Sequence, residues 1–284
     1  MIRAGKSKQS TPKRKALGQS RLIFGKQREA KPFQCLECSL SYSPSVIQDI
    51  AAHAKHHDLH LCGKRWSPKW GEVVQSFSRS IPVKHRRNNN DCGPVTGAKE
   101  ICTGAGTDQI VQISKTRSSE VKATLEIMHI VNEELQAPHD ENHFWIGDSG
   151  INNNTQRRSL KSSDGSAFAY IRGGRAVGII TVEILNEVDE RGRWMICDSA
   201  HVVPGVRPPV KLGISRIWVC KKERGGHIAT RLLEAARHHT ISGLEIAKWE
   251  MAWSQPSESG GKLAKSYNSV NHPKSGNVLI PCYI

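Results

Sequence analysis

The sequence has no uninterrupted apolar run near the roughly 18 residues that a membrane-spanning helix needs. Its N-terminus is basic and lacks the apolar stretch of a secretory leader. These two absences predict an intracellular protein with no membrane partner. Eight cysteines in 284 residues do not suggest a disulfide scaffold. In a reducing compartment, close cysteine pairs read instead as metal ligands. Acids are the other deficit. The chain has 26 Asp and Glu against 41 Lys and Arg, a formal charge of +15. Such a balance points to acidic partners: nucleic acid, a nucleotide or an acidic protein surface. Part of the excess is local, since residues 1–32 hold ten Lys and Arg and one acid, Glu29. That segment lacks apolar periodicity and is predicted to be disordered. Its PKRK at 12–15 is a short basic run of the nuclear-import type. With 37% hydrophobic residues, the remainder is long enough for one sizeable core and a small satellite.

The satellite is expected at 33–62. Residues 33–57 read FQCLECSLSYSPSVIQDIAAHAKHH, with Cys35 and Cys38 in a C-x2-C pair and His53 and His57 four apart. On a helix that spacing puts both imidazoles on one face. Two thiolates from a turn and two imidazoles from a helix make a closed tetrahedral site for structural Zn2+. So small a module needs the metal to fold. Val46, Ile47, Ile50 and Ala51 are expected to back the helix onto the turn, with Phe33 and Tyr42 filling the remainder. The gap between the pairs is 14 residues, longer than the ~12 of DNA-reading fingers. One finger also buries little DNA, so a structural or protein-contact role is expected.

Beyond Cys62, Trp66 and Trp70 are expected anchors between the finger and a main domain at 63–284. Residues 84–107 are polar and glycine-rich and read as a loop. QIVQIS at 109–114 alternates like a strand. Residues 118–135 carry Val121, Leu125, Met128, Ile130, Val131 and Leu135 at helical spacing, with Ser118 or Ser119 as N-cap. Two strands around Gly173 and Gly174 are expected at 167–185. The charged, proline-bearing 187–212 reads as an excursion, and NVLIPCYI at 277–284 as a buried closing strand. The order of elements fits an α/β domain.

GISRIWVCKKERGGHIATRLLEAARHH, at 213–239, is more specific. ISRIWVC is a strand. Arg224, Gly225, Gly226 and His227 follow, then a helix with Ile228, Leu232, Leu233 and Ala236 on its apolar face. Glycines let backbone N–H groups approach a ligand. A helix N-terminus offers unpaired N–H groups and the positive end of its dipole, and Arg224 adds a forked cationic donor. The combination describes a pyrophosphate cradle; a tight turn with solvated charges is the bland alternative.

R-G-G-H-I-A at 224–229 resembles the Q/R-x-x-G-x-G/A loop of the GCN5-related N-acetyltransferases, which holds the pyrophosphate of acetyl-CoA. The wider string of GISRIWV, R-x-x-x-IAT-x-LL and AWSQPSESGGKLAKSY is similar to the acetyltransferases that establish sister-chromatid cohesion. That family also has a two-Cys/two-His finger followed by a Trp-bearing segment like GKRWSPKW. The resemblance covers 33–75 and roughly 109–284. It implies an α/β GCN5-related fold, a mixed, splayed sheet flanked by helices, behind a small zinc finger. There, acetyl-CoA lies where the fourth strand splays from the fifth. By resemblance, Ile217, Trp218 and Val219 meet the pantetheine arm and acetyl group. Arg224, Gly225, Gly226, His227, Ile228 and Ala229 hold the pyrophosphate, and Ser257, Glu258 and Ser259 also contact the cofactor. His227 stands where the superfamily loop has glycine.

Acetyl transfer to lysine is attack of a neutral amine on a thioester. A free lysine, pKa about 10.4, is almost fully protonated at neutral pH, so proton removal must be assisted. Family positions tied to catalysis or substrate contact fall on Ser215, Glu234 and Gln255. Many animal members have Asp where this chain has Gln255, while its SQP resembles fungal members. A glutamine cannot be a general base. The base is then Glu234, Glu183, Glu250 or an ordered water, or proton removal is spread over the site. Tyr267, in a run that reads as the start of the last helix, matches a superfamily tyrosine that often protonates the leaving thiolate. An ordinary core or surface tyrosine is its alternative.

The implied function is that of a nuclear lysine acetyltransferase. It uses acetyl-CoA and a structural zinc, and modifies the ATPase head of cohesin's structural-maintenance-of-chromosomes subunit during DNA replication. QSRL at 19–22 faintly resembles the start of a sliding-clamp binding motif, without its downstream aromatics. The competing reading is a zinc-finger nucleic-acid or chromatin-binding protein whose C-terminal domain is a non-catalytic scaffold.

Overall fold

The computed structural model describes residues 32–78, 107–138, 165–186 and 190–284. The expectations for the basic tail, PKRK, QSRL and 84–106 lie outside the described residues. No helix among those described is long and apolar enough to cross a membrane.

The finger is a short hairpin, β1 (Phe33–Gln34) and β2 (Ser41–Tyr42), followed by α1 (Ile47–Cys62). The expected apolar backing of α1 is not found. Ile47 is 82% exposed, and Val46, Ile50 and Ala51 also face solvent. The helix is held at other points. Leu59 and Leu61 near its C-terminal end are buried, and Tyr42 stacks flat on His53 with 4.0 Å between ring centres. Strand β3 (Lys64–Arg65) follows. Trp66 is then buried beside the edge of Trp70, and its backbone N–H donates to Gly174 O at 2.8 Å. Trp66 is the anchor the sequence suggests.

The main domain begins with β4 (Glu72–Phe77), β5 (Asp108–Gln112) and α2 (Ser118–Leu135). Strands β6 (Gly165–Arg172) and β7 (Arg175–Ile184) form a hairpin. Gly173 and Gly174, at its tip, both have left-handed backbones (φ +56° and +72°), as a tight hairpin turn requires. Next come β8 (Gly192–Ile196), β9 (Val202–Val203), β10 (Leu212–Val219) and α3 (Ile228–His239). The last elements are β11 (Met251–Trp253), α4 (Glu258–Asn268), β12 (Val270–Asn271) and β13 (Val278–Tyr283).

The sheet order is β4-β5-β6-β7-β10-β11-β13-β8-β9, with β3 added to β7 and β12 to β13. Strand β7 is buried through Ala176–Val182, which is why that run is almost unbroken in apolar residues. Gly178 lies under α3: a Cβ there would meet Ile228 Cγ2 at 2.9 Å. From β4 to β10 every neighbouring pair is antiparallel. The step from β10 to β11 is parallel. The α/β class with a mixed sheet is therefore as expected.

Two local expectations are corrected. Residues 187–212 are more than an excursion, because β8 and β9 lie within them. Strand β8 is short; it pairs along its whole length with the distant β13 and, at Trp194 and Met195, with β9. Helix α2 is capped differently too. Arg117 is the N-cap and its side chain makes no capping bond. The buried carboxylate of Glu120 instead accepts the N–H of Ser114 (3.0 Å) and the guanidinium of Arg117 (2.9 Å). The closing strand is as read: Leu279, Ile280, Cys282 and Tyr283 are buried.

Candidate active site and metal centre

Strands β10 and β11 touch only briefly, where Leu212, Gly213 and Ile214 pair with Met251, Ala252 and Trp253. Register against β7 shifts between Ile214 and Arg216. On the opposite edge, the N–H of Ser254 donates to Ile214 at 3.0 Å, and the chain then leaves the sheet toward α4. The second half of β10 and the chain after β11 diverge, leaving a cavity of about 460 Å³.

Of the residues expected to meet cofactor, Ile217, Trp218, Val219, Arg224, Gly225, His227, Ile228, Ala229, Ser257 and Ser259 line this cavity. Ser215 and Gln255 line it as well. Gly226 and Glu258 do not. Glu258 is exposed and bonded to Lys262 at 2.8 Å. One wall is the start of α3. Its N-cap, His227, has a left-handed backbone (φ +59°), and no side chain caps the helix. Gly225 is left-handed too (φ +79°), with open space where a Cβ would stand. Bare backbone therefore lies beside the positive end of the helix dipole.

Arg224 donates through Nε to Val219 O at 2.9 Å and pairs through Nη2 with Glu134. Glu134 and Leu135 reach the cavity from the end of α2, and no sequence motif places them there. A usable signal exists in Glu133 and Glu134 themselves. Carboxylates at a helix C-terminus oppose its dipole and need cationic partners.

In the finger, Sγ of Cys35 and Cys38 and a ring nitrogen each of His53 and His57 all lie within 4.8 Å of one another. His53 Nε2 is buried with no hydrogen-bond partner, an orphan that a metal would satisfy. His57 Nδ1 is 3.4 Å from Cys35 Sγ. Its Nε2 is 3.2 Å from the Glu37 carboxylate, a partner that can orient the ring. Backbone N–H groups of Cys38 and Glu37, then His53, draw the Cys35 thiol down to about 7, toward the thiolate that a metal binds. The four residues fit Zn2+.

Residues 208–278 match the family profile described as ESCO1/2 acetyl-transferase, and 19–59 match the zinc-finger of acetyl-transferase ESCO. The N-acetyltransferase ECO1 of Eremothecium gossypii is 50% identical over 99% of this chain and 100% of its own. That of Saccharomyces cerevisiae is 40% identical over 100% of both. This chain belongs to the ESCO acetyltransferase family. It is an acetyl-CoA-dependent acetyltransferase with a structural zinc finger, and the non-catalytic scaffold reading is set aside. Among solved structures, the xEco2 acetyltransferase domain bound to a K105-CoA conjugate aligns with 62% of this chain and 92% of its own. The identity is 19% and the TM-score 0.44.

Two expected catalytic residues of the acetyltransferase lie outside the cavity lining. Glu234, on α3, binds Arg237 at 2.6 Å and Lys248 at 3.3 Å. Burial opposes its charge, yet Arg237, Tyr267 and Lys248 hold its pKa below the ordinary range. Tyr267 sits in the last turn of α4, not its start, because α4 begins at Glu258 behind the N-cap Ser257. Its hydroxyl faces Met251 Sδ at 3.8 Å and Glu234, and burial, then the Glu234 charge, pushes its pKa up. Glu183 is bound by Arg191 at 2.9 Å. Glu250 is bound by Lys211 at 2.6 Å and by the Ala247 N–H at 2.9 Å. The two carboxylates among the lining residues, Glu134 and Glu223, are each paired with an arginine.

Proposed function

We propose that the cavity between β10 and α4 holds acetyl-CoA and that the enzyme acetylates lysines on the ATPase head of cohesin's structural-maintenance-of-chromosomes subunit. The setting is the nucleus during DNA replication, and the outcome is sister-chromatid cohesion. In this reading the finger occupies 33–62 and the catalytic domain 63–284. The parting of β10 from β11 supports it most directly. A strand edge without a neighbour can pair with the amides of an extended pantetheine arm, as it would with an added strand. The pyrophosphate then meets Arg224 and the backbone of Gly225–Ala229 at the α3 N-terminus. The substrate assignment rests on the family resemblance, and the clamp contact through QSRL on that short likeness.

Among the described residues, the carboxylates that line the cavity are both held by arginines, so removal of the acceptor lysine's proton falls to other groups. Ser215, Ser254 and Gln255 line the cavity near the parting of the strands. Hydroxyl and amide groups can hold a water that carries the proton outward, which supports the ordered-water alternative over Glu234, Glu183 or Glu250. Ser215 and Gln255 then orient the acceptor amine and water. Glu234 fixes α3 through Arg237, and Tyr267 is a packing residue.

The deciding experiment incubates zinc-loaded protein with acetyl-CoA and a cohesin ATPase head, then maps acetyl-lysine by mass spectrometry. Acetylation lost in Arg224→Glu is the expected result. Acetylation retained in that variant would remove Arg224 from the cofactor site. An unmodified head beside another modified chromatin protein would overturn the substrate. A pull-down with the sliding clamp, weakened by Gln19→Ala, checks the clamp contact.

A further inference from the structure

Glu134 lies where four elements meet. From the last turn of α2, its carboxylate accepts the indole N–H of Trp218 on β10 at 2.8 Å. It also pairs with the guanidinium of Arg224 in the loop before α3, and lies 3.4 Å from His60 Nε2 on α1. Trp218, Arg224 and Glu134 all line the cavity. Burial acts to raise the pKa of Glu134, but bonds from Trp218 and Arg224 keep it lowered and the group ionised.

We propose that Glu134 is a positioning residue for acetyl-CoA, setting the Arg224 guanidinium and the Trp218 indole before the cofactor arrives. The inference rests on the proposed placement of pyrophosphate at 224–229. A guanidinium has five N–H donors. One goes to Val219 and one to Glu134, so the plane is pinned at two points and the remaining donors have a fixed orientation. Held only by Val219, the side chain would need ordering each time the cofactor bound. A carboxylate beside an anionic ligand would by itself repel it. Here the charge is matched by Arg224, so loss of preorganisation outweighs relief of repulsion.

The experiment uses the full, zinc-loaded chain and acetyl-CoA as the probe. Calorimetric Kd and steady-state kinetics are measured for Glu134→Gln, Arg224→Ala and the double variant. A glutamine still accepts from Trp218 but loses the ion pair. Glu134→Gln is expected to raise Kd and KM for acetyl-CoA about fivefold with kcat within about twofold, and to add less than about twofold on top of Arg224→Ala. Unchanged or tighter binding would overturn the proposal, and so would equal effects in both backgrounds. If Arg224→Ala leaves affinity untouched, the pyrophosphate placement itself fails. Should Glu134→Gln unfold, Glu134→Asp keeps the charge with a shorter reach. It must then raise Kd in the wild-type background and not in Arg224→Ala.

Discussion

The indole N–H of Trp253 donates to Asn268 Oδ1 at 2.9 Å, and Asn268 Nδ2 donates in turn to Met251 O at 2.8 Å and Lys248 O at 3.0 Å. One buried carboxamide thus ties the end of α4 to β11 and fixes Trp253, a wall of the cavity. Asn268→Leu leaves one donor and two acceptors unpaired. It is expected to cost about 2 kcal/mol or more, read as a lower urea midpoint with an unchanged slope.

Glu120 gives the fold a pH dependence. Burial pushes its pKa up, but the N–H groups of Gly71 and Ser114, with Arg117, outweigh burial and hold it below the ordinary 4.5. A carboxyl depressed in the folded state contributes stability above its unfolded pKa, and that contribution fades as pH falls through the folded value. Glu120→Gln should therefore be less stable than wild type at pH 7. The gap should narrow below about pH 4.5 in chemical denaturation across pH.

At the α3 N-cap, His227 holds a left-handed backbone that glycine adopts at little cost. His227→Gly relieves about 1–3 kcal/mol of backbone strain against about 0.4–1 kcal/mol of added unfolded-chain entropy, and is expected to stabilise the domain. Thermal unfolding without cofactor reads this as a rise in Tm, and an unchanged or lowered Tm would refute it.

Removing a true general base costs about 10²–10⁴ in rate. Gln255 lines the cavity but carries no titratable group. Gln255→Ala should lower kcat by less than about tenfold, without moving the pH–rate profile. A larger loss would make Gln255 indispensable for orienting the acceptor.

Zinc content tests the finger. Cys35→Ser and Cys38→Ser should each weaken or lose the bound metal as read by elemental analysis, because a structural zinc site relies on four protein ligands.

The cradle was readable because its signals are local. The apolar run of β10, the glycines and the face Ile228, Leu232, Leu233 and Ala236 occupy one short stretch, and all four of these helix residues are buried. The Cys/His spacing of the finger is local too. What escaped depends on distant partners. Strand β8 is only five residues long, and its place in the sheet is set by pairing with the distant β13 and with β9. Glu134 enters the cavity only because α2 ends against β10, and Ile47 stays exposed because the finger is held from other sides. Tyr267 falls in the last turn because α4 already begins at Glu258, with the glycines at 260 and 261 inside it.

Strand β13 stands between β11 and β8 in the sheet although it follows both in the chain. On a ribosome, β8 emerges with only β9 to pair with, well before β13, and β11 reaches the solvent with only β10 to join. The antiparallel half from β4 to β10 can assemble while synthesis continues, but β11, which carries Trp253 of the cavity wall, lacks its second neighbour until residues 278–283 arrive. A nascent chain stopped short of them would present a half-built sheet with an open apolar edge, a natural handle for chaperones and quality-control proteases.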